Sequence, residues 1–554
     1  MKKIFWILSI IIIAVITFWD FSGMYFQQDE WHSFGFILSE GIKYITLDHS
    51  LLTLLINDRV GARAIMYALF SLVGLSSVWY AALAFVLHSI NTFLVGIIAY
   101  AVTKRKTVAW LASLLFFTNS VSHQAYSWFG TFAGSAVSVL FVLLSVYAYI
   151  KFMARNNPLL KHLSLLFLWI SFFFKETGLF LFGFYPLWYF FAKNRKFSTT
   201  IWENILFLVY GVIIVMVRLQ ELFAPAGEAN VLITARNGFS GLLANTLLYP
   251  ISAVSQLFIP SQILYAWTNQ LVSLFFSGIE SGSTAFDLAS QVTMGNALSV
   301  VLSCITFIGA LAWIKRAKGN MRGIIIGSLL FLSLSFLPYI VIRKGEAYLE
   351  PRYYYAGAAA AALLGAMMLG SFIASKKVFY RLMGIIIVFL LIGVHMRIIR
   401  QDLAFQKDVG EERRRIISTI TASAPKLPEK IVFYVTGDTR YYGLEELAVP
   451  FQSGLGQVLL LHYSMNGQID PKFFHDGSFL TTQDQGFLYD TVAQGYKEKN
   501  GRGFGYFWSE RELAAAVKTF NIPKASVYAW QYHGENHILE DITQTTRKNL
   551  SVSP

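Results

Sequence analysis

Three short stretches of the chain carry residues able to do chemistry. The first, Gln27-Gln28-Asp29-Glu30-Trp31-His32, sets two carboxylates side by side. In such a pair the neighbouring negative charge and partial burial push one group toward the range where it works as a general base. The plainer reading is a solvated loop. The second, Phe174-Lys175-Glu176-Thr177-Gly178, joins two short apolar runs. Ionisable groups at such a junction are costly and usually have a purpose, although a snorkelling pair can simply end a helix. Helical neighbours do not face each other, so Lys175 and Glu176 are expected to take different partners. The third, Arg343-Lys344-Gly345-Glu346-Ala347-Tyr348-Leu349-Glu350-Pro351-Arg352-Tyr353-Tyr354-Tyr355, opens an apolar run. A guanidinium fork there, beside the free N–H groups of a helix start, suits phosphate; an aromatic belt with a snorkelling arginine would look the same. His88 and Asn91, one turn apart, and His123 are weaker signals, since a histidine among apolar residues more often holds helices together. Gly454-Leu455-Gly456 lacks the third glycine of a nucleotide loop and points to no nucleotide.

Those stretches sit in a chain that cannot be a water-soluble globule. Of 554 residues 55% are hydrophobic and only 14% charged, with 13 Trp, 28 Tyr and 48 Phe and a mean hydropathy of +0.52; ordinary soluble domains are about a quarter charged. The composition reads as a polytopic helical membrane protein and excludes intrinsic disorder. A single cysteine, Cys304, excludes an internal disulfide framework or a multi-cysteine metal site. The net charge of +13 does not indicate nucleic acid, because residues 400–554 are nearly neutral and the excess lies entirely in the apolar part. There it gathers in Lys2/Lys3, Lys104/Arg105/Lys106, Lys151/Arg155/Lys161, Lys193/Arg195/Lys196, Lys315/Arg316/Lys318/Arg322 and Lys376/Lys377/Arg381, with no acidic residue inside any cluster. This positive-inside pattern puts the six clusters in the cytoplasm.

Pairing the clusters with the apolar runs gives eleven expected spans, near residues 4–19, 77–101, 107–121, 131–150, 162–174, 177–192, 201–218, 294–314, 323–340, 353–373 and 382–399. An odd number starting from a cytoplasmic Met1 leaves everything after Arg400 outside. Residues 1–399 therefore read as a membrane domain and 400–554 as an extracytoplasmic α/β domain. The first span is expected to be a retained anchor, because Thr17-Phe18-Trp19-Asp20 offers no small-x-small cleavage site. Residues 20–63 and 219–293 read as outer segments, the latter as interfacial helices joined by loops. A charged helix is expected over 400–424, with Phe405, Val409, Ile416 and Ile420 roughly on one side. Strands are expected at 431–436 and 526–530, and a helix at 510–520 behind a Ser509/Glu512 capping box. No internal repeat is evident.

Taken in order, these segments resemble the GT-C type glycosyltransferases that use lipid-phosphate-linked sugars, closest to protein O-mannosyltransferases and their bacterial relatives. The resemblance covers most of residues 1–399. It rests on Asp29-Glu30, on Arg63 opening the next helix, and on Val86-Leu87-His88-Ser89-Ile90-Asn91. It continues through Ser122-His123-Gln124-Ala125-Tyr126-Ser127-Trp128 and Phe174-Lys175-Glu176-Thr177-Gly178 to Glu350-Pro351-Arg352-Tyr353-Tyr354-Tyr355. Three positions depart from the family pattern: Arg63-Ala64 where relatives have Arg-Pro, Asn119-Ser120 where His-Pro is expected, and Ala356 where a proline usually ends the tyrosine run. The TPR array of some relatives is replaced by the α/β domain.

The resemblance implies a GT-C fold and transfer of a sugar, with inversion, from a polyprenyl-phosphate donor to a hydroxyl on a protein, lipid or glycan at the outer face of a plasma membrane. It implies that Asp29, with Glu30 second, is the base, and that Lys175, Arg352 and Arg343 bind the donor phosphate. Glu176, His88, His123, Arg63 and Tyr353 are implied in support. A phosphate leaves as a stable anion, so one base and a cationic clamp suffice. The resemblance leaves room for a divalent metal, as in some oligosaccharide-transferring relatives, yet no clear ligand set stands in the sequence, and no organic cofactor is implied. A lipid transporter or flippase is the competing class; against it stand the lack of pseudo-symmetric halves and the gathering of charged candidates at the boundary rather than the midplane. A sensory or structural membrane protein would leave the outer clusters without chemical purpose. The lack of outer cysteines and the single sequon, Asn549-Leu550-Ser551, lean toward a prokaryotic membrane.

Overall fold

In a hydrocarbon layer every backbone N–H and C=O must find a partner inside its own segment, which makes long apolar runs helical. The computed structural model describes residues 11–27, 29–47, 49, 54, 59–223, 251–275, 284–317, 319–342, 351–438, 448–451, 454–480 and 494–552. The membrane part contains an apolar helix Ile11–Gly23 and then α1 (Asp29–Glu40), α2 (Val60–Val73), α3 (Ser77–Thr103), α4 (Lys106–Phe117), α5 (Phe129–Arg155) and α6 (Pro158–Phe172). These are followed by α7 (Leu181–Lys193), α8 (Phe197–Phe223), α9 (Ser261–Phe275), α10 (Thr284–Arg316), α11 (Asn320–Leu334), α12 (Tyr355–Ile373) and α13 (Val378–Ser423).

Among the described residues seven helical stretches are long and apolar enough to cross a membrane: Ser77–Thr103, Phe129–Arg155, Phe197–Val217, Ala297–Arg316, Asn320–Tyr339, Arg352–Ile373 and Val378–Ser423. The architecture is that of a helical multi-pass membrane protein, but the expected count of eleven does not follow from it. Helix α4 has 12 residues, α6 has 15 and α7 has 13. At about 1.5 Å per residue each is shorter than the roughly 30 Å hydrocarbon core. Of the segment expected to hold interfacial helices, 224–250 and 276–283 lie outside the described residues, and α9 is a helix as expected.

Small residues bring the central helices together. Helix α12 reads Tyr355-Ala-Gly-Ala-Ala-Ala-Ala-Ala-Leu-Leu-Gly-Ala and is buried from Tyr355 to Met367, because alanine and glycine let neighbouring backbones approach closely. It packs on α4, α11 and α13. A similar approach occurs where the Trp188 ring of α7 lies along α11: its Nε1 donates to Gly323 O at 3.0 Å and the ring occupies the space a side chain on Gly327 would need.

Helix α13 has 46 residues, about 69 Å at 1.5 Å per residue, more than twice the hydrocarbon thickness. It runs unbroken through residue 400, so one continuous rod extends from the membrane bundle toward the C-terminal domain. Its second half carries the expected charged helix. Ile416 and Ile420 are buried on it, together with Leu403, Gly410, Arg413 and Ile417. Phe405, expected on that side, is exposed, because the buried stripe is the 403/410/417 face and residue 405 lies two helical steps round from it.

The C-terminal domain is a five-stranded sheet in the order β2-β3-β1-β4-β5, formed by β1 (Lys430–Gly437), β2 (Gly495–Lys499), β3 (Arg502–Phe507), β4 (Val527–His533) and β5 (Ile538–Asp541). Strand β1 pairs in parallel with β3 and β4, while β2 and β5 are antiparallel edges. The expected strands and helix are present, and among the described residues the domain's α-helices after α13 are α14 (Leu455–Met465), α15 (Glu510–Thr519) and α16 (Thr543–Val552). The Ser509 side chain accepts the Glu512 N–H and starts α15. Alternation along β1 sends Ile431, Phe433 and Val435 into the main core and Val432 and Tyr434 into a second core with Leu513 and Ala516 of α15.

Replacing Gly327 by Val forces Trp188 off the Gly323 carbonyl and is expected to destabilise the detergent-purified protein by about 1–3 kcal/mol. Thermal unfolding checks it, against Gly309→Val as the control, where nothing lies within 4 Å of the added carbon. Equal unfolding temperatures for the two variants would show that this contact does not stabilise the core.

Candidate catalytic site

Three of the candidate residues, Glu30, Arg352 and Lys175, each contact residues 128–135 at the start of α5. The first turn of a helix leaves N–H groups without intrahelical partners, and Trp128, which precedes α5 in an extended conformation, supplies no side-chain cap. The partner comes instead from α1. The Glu30 carboxylate, wholly buried, accepts the Gly130 N–H on Oε1 at 2.8 Å. A carboxylate at a helix N-terminus also gains from the helix dipole. The side chain of Asp29, one residue earlier, lies outside the described residues.

Two cations reach the same two turns. The Arg352 guanidinium stacks over the Trp128 indole at 4.4 Å and over the Tyr353 ring at 5.1 Å. Lys175 is buried; its Nζ donates to Ser135 Oγ at 2.8 Å and lies 5.0 Å from the centre of the Tyr353 ring. Arg352 and Lys175 thus share the Tyr353 ring, at 5.1 Å and 5.0 Å from its centre. The Tyr353 ring lies against Tyr339, tilted by 34° with centroids 4.4 Å apart.

Lys175 and Glu176 take different partners. Lys175 is extended, its carbonyl accepts the Ser138 hydroxyl at 3.0 Å, and its ammonium turns to α5. Both Glu176 carboxylate oxygens accept from Arg59 Nη2, at 3.1 Å each. Arg59, just before α2, is not among the residues the sequence singles out, yet a cation on a segment expected outside runs against the positive-inside bias as Arg352 does.

The other candidates stand apart from this cluster. Arg63 Nε donates to Ile45 O at 2.9 Å and braces the connection between α1 and α2. His88 is fully buried; Nε2 faces Phe117 O at 3.0 Å and Nδ1 faces the Tyr355 hydroxyl at 2.9 Å. A carbonyl only accepts, so the proton sits on Nε2 and Tyr355 donates to Nδ1. Asn91 donates to the Tyr355 oxygen and to Ala136 O, so α3, α4, α5 and α12 are tied at one point. His123 lies between Ser120 O at 2.7 Å and Asp402 Oδ2 of α13 at 2.8 Å. Arg343 lies outside the described residues. No group of three His, Cys, Asp or Glu side chains that could hold a metal ion occurs among the described residues.

A separate feature has no signal in the sequence. A cavity of about 770 Å³ lies among α4, α10, α12 and α13, lined almost entirely by apolar side chains, with Asn119 and His395 among its few polar walls and Arg316 at the end of α10. It follows α12 from Ala361 to Phe372, roughly 17 Å along the helix. Its volume falls in the range of small-molecule and cofactor sites.

On the α1 side the C-terminal domain closes over the carboxylate segment. Gln457 Nε2 reaches His32 Nδ1 at 3.3 Å, and burial pushes the His32 imidazole below its usual range, so it accepts this bond as the neutral ring. His475 pairs with Glu40 at 2.8 Å. No family model matches the chain, and no curated protein matches it significantly in sequence.

The Arg59–Glu176 pair is testable by a double-mutant cycle. Because half of the Arg59 side chain is exposed, Arg59→Ala, Glu176→Ala and the double variant should give a coupling of only about 0.5–1 kcal/mol in denaturant or thermal unfolding. Full additivity would dissolve the pair.

Proposed function

We propose that the protein is an integral membrane glycosyltransferase that moves a sugar from a polyprenyl-phosphate donor to an acceptor hydroxyl at the face of the membrane carrying the C-terminal domain. The observation that carries this reading is that Glu30, Arg352 and Lys175 each contact residues 128–135, at and just before the start of α5. A carboxylate segment and two cations at one helix start are the parts that inverting transfer from a phosphate needs.

In this reading Arg352 and Lys175 bind the donor phosphate and stabilise the charge that grows on it as the anomeric C–O bond breaks. Their aromatic neighbours, Trp128 and Tyr353, keep water from the pair and offer faces to the sugar. Glu30 is committed to the Gly130 N–H and buried, so it fixes the segment, and Asp29 takes the acceptor proton as the hydroxyl oxygen attacks the anomeric carbon with inversion. Glu176, held by Arg59, orients the Lys175 turn. The apolar cavity along α12 suits the hydrocarbon of a lipid-linked substrate. The N-terminus and the six basic clusters face the cytoplasm, and the sheet domain faces outward.

The test is transfer by the purified full chain from radiolabelled undecaprenyl-phosphate hexoses to a membrane extract. Asp29→Asn should lose roughly 10²–10⁴-fold in rate while retaining donor binding, and Arg352→Ala should weaken both donor binding and rate. Undiminished transfer by Asp29→Asn, Glu30→Gln and Arg352→Ala together overturns the site, and no transfer by wild type from any hexose donor overturns the activity. Orientation is read separately: in a Cys304→Ser background, Glu535→Cys, on the exposed β4–β5 turn, should react with a membrane-impermeant maleimide on intact cells. Labelling only after permeabilisation would place the domain in the cytoplasm.

A further inference from the structure

Helix α13 does more than connect the bundle to the sheet domain: its outward half grips the segment that leads into Asp29-Glu30. Lys407 pairs with Asp20 at 3.2 Å. Gly410 leaves room for the backbone of Gly23 and Tyr25 to lie against the helix, where an added carbon would stand 2.9 Å from the Tyr25 side chain. Arg414 donates to Gly23 O at 3.3 Å, Met24 O at 3.1 Å and Ser77 Oγ at 3.0 Å, with its guanidinium 4.5 Å over the Tyr25 ring.

Arg413 sits at the centre of this grip and is buried, 6% exposed. Its Nε donates to Pro450 O of the C-terminal domain and its Nη1 to Phe26 O at 3.5 Å. Desolvation opposes its charge, and the carboxylates of Glu30 and Glu412 favour it, with Tyr25 also facing it. Glu30 itself accepts the Gly130 N–H of α5, and its charge acts on Arg413 across the segment that Arg413 holds at Phe26 O. A buried cation opposite a buried carboxylate, with each donor assigned to a different piece of chain, is costly unless geometry is kept.

We infer that Arg413 is a positioning residue: it holds the Asp29-Glu30 segment in place for transfer, and the C-terminal domain, through Pro450 O, holds Arg413. This rests on the glycosyl-transfer reading for its kinetic consequence but not for its structural one. It makes the sheet domain part of the site's support.

The test uses the full chain with Arg413→Gln, Arg413→Lys and, as control, Arg415→Gln, which removes a like charge two residues further along where the side chain is exposed. With radiolabelled undecaprenyl-phosphate mannose, or whichever hexose donor wild type turns over, Arg413→Gln should lower kcat about a hundredfold, the scale of a misplaced catalytic group. KM for the donor should stay within about twofold, since uniform binding is untouched. Losing a cation beside carboxylates favours their protonated forms, so the acid limb of the kcat profile moves to higher pH. Arg413→Lys should restore most of the rate, and Arg415→Gln should match wild type. Hydrogen exchange of residues 20–35 should rise in Arg413→Gln and not in Arg415→Gln. If Arg413→Gln does not fold, Arg413→Lys decides, with raised exchange of residues 20–35 expected because only one donor replaces the fork. Wild-type kcat and exchange in Arg413→Gln, or in Arg413→Lys where that variant decides the exchange, or an equal loss in Arg415→Gln, overturns the inference. No transfer by wild type overturns the activity alone, and the exchange result then still decides the positioning.

Discussion

A carboxylate with no exposed surface must be held by donors or it costs several kcal/mol to keep charged. Glu30 meets that demand by taking the Gly130 N–H at the start of α5, a helix whose own sequence provides no side-chain cap. That hydrogen bond serves an orphan helix donor and a buried anion together, and it pins the first connecting segment to the bundle. Arg352 on Trp128 and Lys175 on Ser135 attach to the same two turns, so the geometry of the whole cluster is inherited from the start of α5.

The second half of α13 supports that arrangement from the other side. Arg413 and Arg414 satisfy the carbonyls of Gly23, Met24 and Phe26, groups at and just beyond the end of the first helix that its own turns leave open. Arg415 continues to the sheet domain through His537 O, where Tyr532 and His537 converge on Glu412. Three consecutive arginines spread round the helix, one every hundred degrees or so, so that Arg413 also reaches Pro450, Arg414 also reaches Ser77, and Arg415 reaches His537.

Much of the architecture was legible because its causes are local. The runs 77–101, 131–150 and 353–373 are apolar for long enough to be helices wherever they are placed, and β1, β4 and α15 follow from runs of β-branched and aromatic residues and a Ser509 cap. The spans expected at 107–121, 162–174 and 177–192 are short in the structure because hydropathy counts apolar residues and does not see where a helix ends: α4 stops at Phe117, and α6 stops before the Lys175 turn is drawn to Ser135 and Ser138. Strands β2 and β3 have no counterpart among the expected elements, since Gly501, Gly503 and Gly505 break up any apolar run there. Asn500-Gly501, both with positive φ, were the available signal for a tight hairpin, and the glycines of β3 are where Tyr496 lies across the strand.

The amino-acid order by itself determined which segments are helical and apolar, that 431–436 is a strand, and that Asp29-Glu30, Lys175-Glu176 and Arg352 are scarce charges beside apolar runs. It could not decide partners. That Glu30 caps a helix starting a hundred residues later, that Lys175 turns to Ser135 while Glu176 turns to Arg59, that His88 ties helices, and that Arg413 stands between two parts of the chain depend on long-range packing. Periodicity and composition act over a few residues, whereas a buried charge is matched by whatever donor the folded bundle brings within hydrogen-bonding distance.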